Sequence, residues 1–185
     1  MNQLISITQI RDIPPAYLHT PIHGLLAYHN LNHPFDDFTQ APLLIGMCMD
    51  HRKRLRMPSN FAYVIRTGGA NLRYNEFQVS YALAVGGVNT IALIGHSNCG
   101  MVNLIAKKEQ FVNGLVEKAG WQRDLAEDHF IHLAPMFEIG NAIDFVLNEV
   151  ERLRNRYPGI LVAPMFYRVE DNLLYLIEAD PTLQS

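Results

Sequence analysis

The stretch LLIGMCMDHRKRL, residues 43–55, decides the fold, because an apolar run opens directly onto reactive side chains. The run is short and continuous rather than alternating, which is typical of a strand buried on both faces of a parallel sheet. Cys48, Asp50 and Arg52 follow at its end. A thiol, an acid and a base at the end of a buried strand indicate a site rather than a simple turn.

A second stretch, IALIGHSNCGM at residues 91–101, repeats this arrangement. Its apolar run ends at His96, and Cys99 follows three residues later. The chain has only two cysteines, and both therefore follow a predicted buried strand. Taken singly, each thiol is most simply a buried side chain, but the pattern around the pair favours a shared function.

Length and composition indicate one globular domain spanning residues 1–185. Apolar residues make up 49% of the chain and charged residues 18%, which is an ordinary folded composition. The net charge is −3, with 15 basic and 18 acidic residues, so we expect no nucleic-acid partner. The short basic cluster HRKRLR, residues 51–56, is interpreted as a solvated loop with one functional arginine.

The same sequence predicts a cytoplasmic protein without a membrane partner. No apolar run approaches the roughly 20 residues that span a bilayer, and the first residues lack the features of a secretory signal peptide. Two cysteines do not form a disulfide framework, and in a reducing compartment such a pair is more often catalytic, metal-binding or buried.

Strand and helix patterns alternate from residue 41 onwards. Four continuous apolar runs predict parallel strands: 42–49, 61–67, 89–96 and 159–167. A fifth run at 172–179 follows a short turn and predicts an antiparallel hairpin strand. The fold class is therefore α/β: a single domain with a central, mostly parallel four-stranded sheet plus an antiparallel C-terminal edge strand, flanked by helices, with an N-terminal arm.

Helices are predicted between these strands. Asn75 is a candidate N-cap for a helix whose apolar face holds Phe77, Tyr81, Ala84 and Val85. Residues 101–117 predict a second helix, and 138–154 a third with an outward face that includes Glu149.

Two segments have no regular pattern. Residues 1–41 carry four prolines and predict an arm with one or two helical turns, lying against something such as a partner subunit. Residues 118–137 read as a polar and aromatic insert.

Parallel sheets collect ligands beyond the carboxyl ends of their strands, where strand order reverses. If the first and third strands are neighbours there, Cys48, His96 and Cys99 converge. Two thiolates and one imidazole form a known catalytic zinc set with an open fourth position. Gly100 is expected to allow close backbone approach beside them.

These motifs resemble those of a known family. CMDHR and GHSNCGM resemble the two zinc motifs of the β-class carbonic anhydrases, C-x-D-x-R and H-x-x-C-G. IRTGGAN, residues 65–71, resembles that family's R-N-A-G-x segment, although Thr67 replaces the asparagine. The resemblance covers residues 40–115 well and 138–179 more loosely.

The resemblance implies an enzyme that hydrates carbon dioxide to bicarbonate and a proton through a zinc-bound hydroxide. It assigns Zn²⁺ to Cys48, His96 and Cys99, and an acid–base dyad to Asp50 and Arg52. In some members the aspartate swings onto the zinc and closes the site. The family is built from dimers, so a homodimer or a higher homo-oligomer is implied.

Alternatives remain open on the same residues. Carbon disulfide and carbonyl sulfide hydrolases resemble this family and share its metal ligands. A non-catalytic zinc or redox-sensing module is a third reading, although such a module needs neither Asp50 nor Arg52. His51 has two interpretations, a proton shuttle at the rim or a solvent-facing loop residue.

Overall fold

The computed structural model describes residues 3–178 and contains a six-stranded sheet. Its strands are β1 (Gln3–Ser6), β2 (Leu43–Cys48), β3 (Ala62–Thr67), β4 (Thr90–His96), β5 (Leu161–Arg168) and β6 (Leu173–Glu178). Their order across the sheet is β1-β6-β5-β4-β2-β3. Strands β2 to β5 pair in parallel, whereas β6 pairs antiparallel with β5 and β1 antiparallel with β6.

The predicted α/β class, with four parallel strands and an antiparallel C-terminal strand, is confirmed. Strand β1 extends the sheet beyond β6 and was not predicted. It has four residues with a half-buried pattern, which is too short for a periodicity to be visible in the sequence. Of the predicted fifth strand, residue 179 lies outside the described residues.

Within residues 3–178, five α-helices flank the sheet: α1 (Pro21–Asn30), α2 (Glu76–Ala84), α3 (Lys108–Ala119), α4 (Arg123–Phe137) and α5 (Ala142–Arg156). Alternate side chains of β2 enter two separate cores, with Ile45 on the α1 side and Leu44 on the side of α2 and α5. Both side chains are fully buried. This burial on both faces explains why the strand reads as a continuous apolar run. Of the helices in residues 3–178, none is both long enough and apolar enough to cross a bilayer.

The N-terminal arm packs on the chain's own sheet. Ile22, Leu25 and Leu26 of α1 are fully buried in the core beneath β2 and β4. The amide side chain of Asn30 donates to the Leu174 carbonyl and accepts from its N–H, so it ties α1 to β6. Helix α1 is longer than the predicted one or two turns. Its proline at the first position is compatible with a helix, because the missing N–H has no intrahelical partner there.

Helix α5 lies directly against β4, next to the last residue of that strand. A Cβ atom at Gly95 would come within 2.7 Å of Val146 Cγ2, so the close contact requires glycine. Asn141 caps the helix by accepting hydrogen bonds from two backbone N–H groups of its first turn. The prediction that Glu149 faces outward is wrong. Its side chain is fully buried and paired with Arg152 at 2.8 Å.

Whereas α5 buries a residue that was predicted to be exposed, helix α2 exposes the face that was predicted to be buried. Its predicted apolar face points to solvent: Phe77 is 80% exposed, Tyr81 52% and Val85 66%. Such a stripe usually faces a core, but here the core contacts are Val79 and Ala82. Strand β3, the free edge of the sheet beside α2, adds the half-exposed side chain of Tyr63 on the same side of the sheet. We call this surface the α2–β3 face; it comprises Tyr63, Phe77, Tyr81 and Val85.

The insert at residues 118–137 forms the end of α3 and all of α4, which pack together as a helical hairpin. Gly120 ends α3 in the left-handed conformation with φ of 70°. The Phe111 and Phe130 rings lie 5.1 Å apart between the two helices. Helix α3 begins at Lys108 rather than at residue 101. The preceding residues form a turn with an isolated bridge from Val102 to Ile139, followed by a short 3-10 helix over Ile105–Lys107.

Candidate metal centre

The carboxyl ends of β2 and β4 bring the predicted ligands together. Cys48 and His96 are the last residues of these two strands, which pair in parallel with Met47 opposite Ile94. Strand β3 lies on the other side of β2, so the chain order reverses between β2 and β4. This reversal is where ligands collect in open parallel sheets. The expectation that the two strands are neighbours is confirmed.

The three ligand atoms form a compact, buried group. The two Cys Sγ atoms and a His96 ring nitrogen all lie within 4.8 Å of one another. The Cys48 and Cys99 sulfurs are 4.0 Å apart. A tetrahedral zinc with Zn–S bonds of about 2.3 Å needs roughly 3.8 Å between two sulfurs. The observed spacing therefore suits one shared ion.

His96 is oriented for coordination. Its Nδ1–H donates to the Ser97 carbonyl at 2.9 Å, which leaves Nε2 with a free lone pair. Nε2 is one of two buried side-chain nitrogen or oxygen atoms in residues 3–178 that lack a hydrogen-bond partner. An unpaired buried acceptor is unfavourable unless something binds it, and a metal ion satisfies it. The residues present therefore fit a metal.

The two thiols differ in acidity because they share a hydrogen bond. The bond from Cys99 lowers the pKa of Cys48, while the same bond raises the pKa of Cys99. A divalent cation provides the charge that allows both to be thiolates. Two sulfurs and one imidazole nitrogen are the donors that zinc prefers.

Asp50 is turned towards Arg52 rather than towards the three ligand atoms. The Arg52 guanidinium binds both carboxylate oxygens, with Nη2 2.6 Å from Oδ2 and Nε 3.0 Å from Oδ1. Arg52 Nη2 also donates to the Asn98 carbonyl at 2.9 Å. The hydrogen bonds from Arg52 hold the pKa of the Asp50 carboxyl well below its usual 3.8. Asp50 is therefore an ionised acceptor beside the ligand group.

Two basic residues at this centre were missed by sequence reasoning. Lys53, interpreted as part of a solvated loop, is 1% exposed, and its Nζ has no hydrogen-bond partner among the described residues. Burial lowers the pKa of Lys53, and its charge helps to lower the pKa of Asp50 and Cys48. Arg66 donates to the carbonyls of Cys48, Asp50 and Lys53 and so holds the loop in place. Neither residue has a spacing pattern that points to these contacts.

The structure also describes two neighbouring residues for which expectations were drawn from the sequence. His51 has an exposed side chain, which agrees with both of its interpretations. Gly100 was expected to allow close approach, but a Cβ there would meet no atom within 4 Å. Its role is therefore not steric.

Two cavities flank the ligand group and differ in character. One, of about 500 Å³, is bordered by His96 and Cys99 and contains the Lys107 side chain. The other, of about 370 Å³, lies between the α3–α4 hairpin and the end of β3. Its lining is almost wholly apolar: Met49, Thr67, Gly68, Met101, Leu104, Phe111, His129, Phe130, Leu133, Ala134 and Phe137.

Solved structures with this architecture are carbonic anhydrases and a related hydrolase. A β-carbonic anhydrase isoform from Trichomonas vaginalis superposes with a TM-score of 0.62 at 18% identity, covering 91% of this chain and all of the other. A carbonic anhydrase from Glaciozyma antarctica gives 0.58 at 22% identity, covering 74% and 83%. A carbon disulfide hydrolase gives 0.52 at 18% identity, covering 73% and 77%.

No protein-family model and no curated protein matches the sequence. The structural matches nevertheless define the class: the chain has the β-class carbonic anhydrase fold. Sequence identities this low establish the architecture alone. The chemistry has to be inferred from the residues of the site.

Proposed function

We propose that this protein hydrates carbon dioxide to bicarbonate and a proton, using zinc held by Cys48, His96 and Cys99. The observation that carries the proposal is the convergence of these three ligand atoms within 4.8 Å, beside an ionised carboxylate that is paired with arginine. Zinc in this position would lower the pKa of a bound water towards neutrality and supply a hydroxide nucleophile. A purely structural zinc site has no need of the Asp50–Arg52 pair.

Asp50 orients the attacking group. As an ionised carboxylate it only accepts hydrogen bonds, so it would hold the hydroxyl hydrogen and leave an oxygen lone pair free to reach the substrate carbon. Arg52 keeps Asp50 charged and directs it away from the metal ligands. Together the two residues would leave a position open for water on a metal held by the three ligands.

The apolar cavity supports a small uncharged substrate. Carbon dioxide has no net charge or dipole, and an apolar lining next to Cys48 suits it better than it suits bicarbonate. The cleft bordered by His96 and Cys99, which contains Lys107, provides a polar environment for the anionic product. The difference between the two cavities thus matches the change in charge during the reaction.

A carbon disulfide or carbonyl sulfide hydrolase is the second candidate. The superposition with a carbon disulfide hydrolase favours it, and the apolar cavity would accept these linear molecules as well. Both reactions need the same ligands and the same oriented nucleophile. They differ in the product, because the sulfur substrates release hydrogen sulfide.

We further propose that the protein is a homodimer or a higher homo-oligomer that buries the α2–β3 face against a second copy. Four exposed apolar side chains lie on this face beside the free edge of the sheet, and soluble monomers rarely expose such an edge. The cytoplasmic location remains a prediction from the sequence.

Metal analysis followed by stopped-flow hydration of carbon dioxide over roughly pH 6.5 to 9 tests the catalytic proposal. We expect about one zinc per chain. The rate should rise towards alkaline pH, because two thiolates leave the centre without net positive charge. Zinc with no hydration but with sulfide release from carbon disulfide supports the second candidate. Zinc with neither reaction supports a non-catalytic module, and absence of bound zinc refutes both enzymes.

A further inference from the structure

Hydrogen bonds attach the two residues between His96 and Cys99 to the turn that joins β5 and β6. Ser97 and Asn98 connect His96 to Cys99, and Glu170 lies in the turn that follows β5. Glu170 Oε2 accepts from the Ser97 hydroxyl at 2.7 Å, and Oε1 accepts from the Asn98 amide at 2.7 Å. Both carboxylate oxygens of Glu170 therefore accept hydrogen bonds from the Ser97–Asn98 dipeptide.

Backbone contacts complete the attachment. The Ser97 hydroxyl oxygen accepts from the Val169 N–H at 2.9 Å, and the Ser97 N–H donates to the Tyr167 carbonyl at 3.1 Å. The hydrogen bond from Ser97 lowers the pKa of Glu170, so the exposed carboxyl is ionised. Hydrogen bonds to a charged acceptor are stronger than those between neutral groups.

Asn98 has an unusual backbone conformation with a consequence for Arg52. Its φ is 53°, in the left-handed region that residues other than glycine seldom adopt. In this conformation its carbonyl accepts the bond from Arg52 Nη2, while its side chain is held by Glu170. The side-chain bond stabilises a conformation that the backbone alone disfavours.

We propose that Glu170 is a positioning residue, which fixes the Asn98 carbonyl so that Arg52 stays anchored and keeps Asp50 away from the metal. This inference rests on the proposed function of the Asp50–Arg52 pair. Arg52 has a 37% exposed side chain, and the Asn98 carbonyl is the hydrogen-bond partner that its guanidinium has besides Asp50 within residues 3–178. This relay consists of three contacts. The Glu170 carboxylate holds the Asn98 side chain, the Asn98 carbonyl holds the Arg52 guanidinium, and Arg52 holds the Asp50 carboxylate.

Replacing Glu170 with alanine tests the relay in the zinc-loaded and cobalt-substituted protein. Metal content should be unchanged, because no ligand is removed. We expect kcat/KM to fall by about 10- to 100-fold, the usual effect of losing a group that supports metal-site residues. We also expect the visible spectrum of the cobalt protein to lose its response to added thiocyanate, because Asp50 would occupy the open position.

Asp171→Ala is the matched control in the same turn. Asp171 accepts from the Leu173 N–H, the Tyr175 hydroxyl and the Arg168 guanidinium. Unlike Glu170, it makes no hydrogen bond to Ser97 or Asn98 within the described residues. This variant should lower the melting temperature without altering the cobalt spectrum or the pH profile. If Glu170→Ala behaves in the same way, Glu170 only stabilises the turn and the inference is wrong.

Asn98→Gly gives a second, independent test. Glycine adopts the left-handed conformation without strain, so the carbonyl position no longer depends on a side-chain bond. The effect of Glu170→Ala on the anion response should therefore shrink several-fold in this background. An undiminished effect would contradict the route through Asn98. Because the cobalt readout needs no carbon dioxide, it is independent of the substrate assigned above.

Discussion

The metal centre and the α2–β3 face depart from the usual distribution of side chains in opposite ways. At the metal centre, ionisable groups are buried: His96 and Lys53 are each 1% exposed. On the α2–β3 face, apolar side chains are exposed, and Phe77 reaches 80%. Buried unpaired polar groups and exposed apolar patches both raise the free energy of the isolated chain. Each departure agrees with the partner proposed for that region, an ion in one case and a second copy of the chain in the other.

Cys99→Ala should have the largest effect, and it tests whether the buried groups of the metal centre bind an ion. Removing one of three protein ligands leaves the ion with two, so we expect zinc binding to fall below detection. Inductively coupled plasma analysis of purified protein measures it. Met49→Ala, next to Cys48 but 64% exposed, is the control and should retain zinc. Retention of about one zinc by Cys99→Ala would show that the ion, if any, is bound elsewhere.

Asp50→Asn should retain zinc and lose turnover. The amide keeps the size of the side chain but loses the negative charge that pairs with Arg52 and that, in the proposed mechanism, accepts the nucleophile's hydrogen. General-base and orienting groups typically contribute about 10²- to 10⁴-fold, so we expect a loss in that range. Stopped-flow hydration measures it, with the exposed Asp37→Asn as control. Full activity in Asp50→Asn would remove Asp50 from the mechanism.

Gly95→Ala tests whether the contact between α5 and β4 supports the metal centre. The new methyl group would overlap Val146 Cγ2, and overpacking of a core typically costs about 1–3 kcal/mol. Because His96 follows directly, zinc affinity should weaken along with stability. Urea unfolding and chelator competition measure the two effects. Gly140→Ala, where the methyl group meets no atom within 4 Å, should change neither.

Phe77→Lys tests whether the α2–β3 face is an interface between two copies of the chain. An exposed position should change the free energy of unfolding of the monomer by less than about 0.5 kcal/mol. A charge in an apolar interface should nevertheless dissociate the oligomer, which sedimentation velocity measures. Phe77→Leu is the control and should preserve assembly. If the wild-type protein is already a monomer, the α2–β3 face has another occupant.

The pH dependence of stability should show the smallest effect. The folded pKa of Asp50 is lower than its unfolded value near 3.8, because Arg52 stabilises the charged form. Its contribution is therefore fully present above that value and is lost as the pH falls through the folded pKa. The stability difference between wild type and Asp50→Asn should be constant from about pH 5 to 7 and shrink below pH 4. Urea unfolding at each pH measures it. A difference that grows on acidification would contradict the lowered pKa.

The site could be predicted from the sequence because each motif is local. Cys48 and His96 end continuous apolar runs, and a buried parallel strand is the simplest reading of such a run. That β2 and β4 are neighbours was a condition of the prediction, and the structure confirms it. The supporting residues could not be predicted in this way. Lys53 looks like any residue of a basic loop, and Glu170 lies about 70 positions from the dipeptide that it holds.

The amino-acid sequence by itself determined the class of the fold, the parallel strands and the identity of the ligands, since these depend on periodicity and short spacings. Tertiary structure alone decided that α1 packs on the chain's own sheet, that Glu149 is buried and that the stripe of α2 faces solvent. The physical reason is that periodicity shows which side chains share a face. What that face contacts depends on segments far away in the chain.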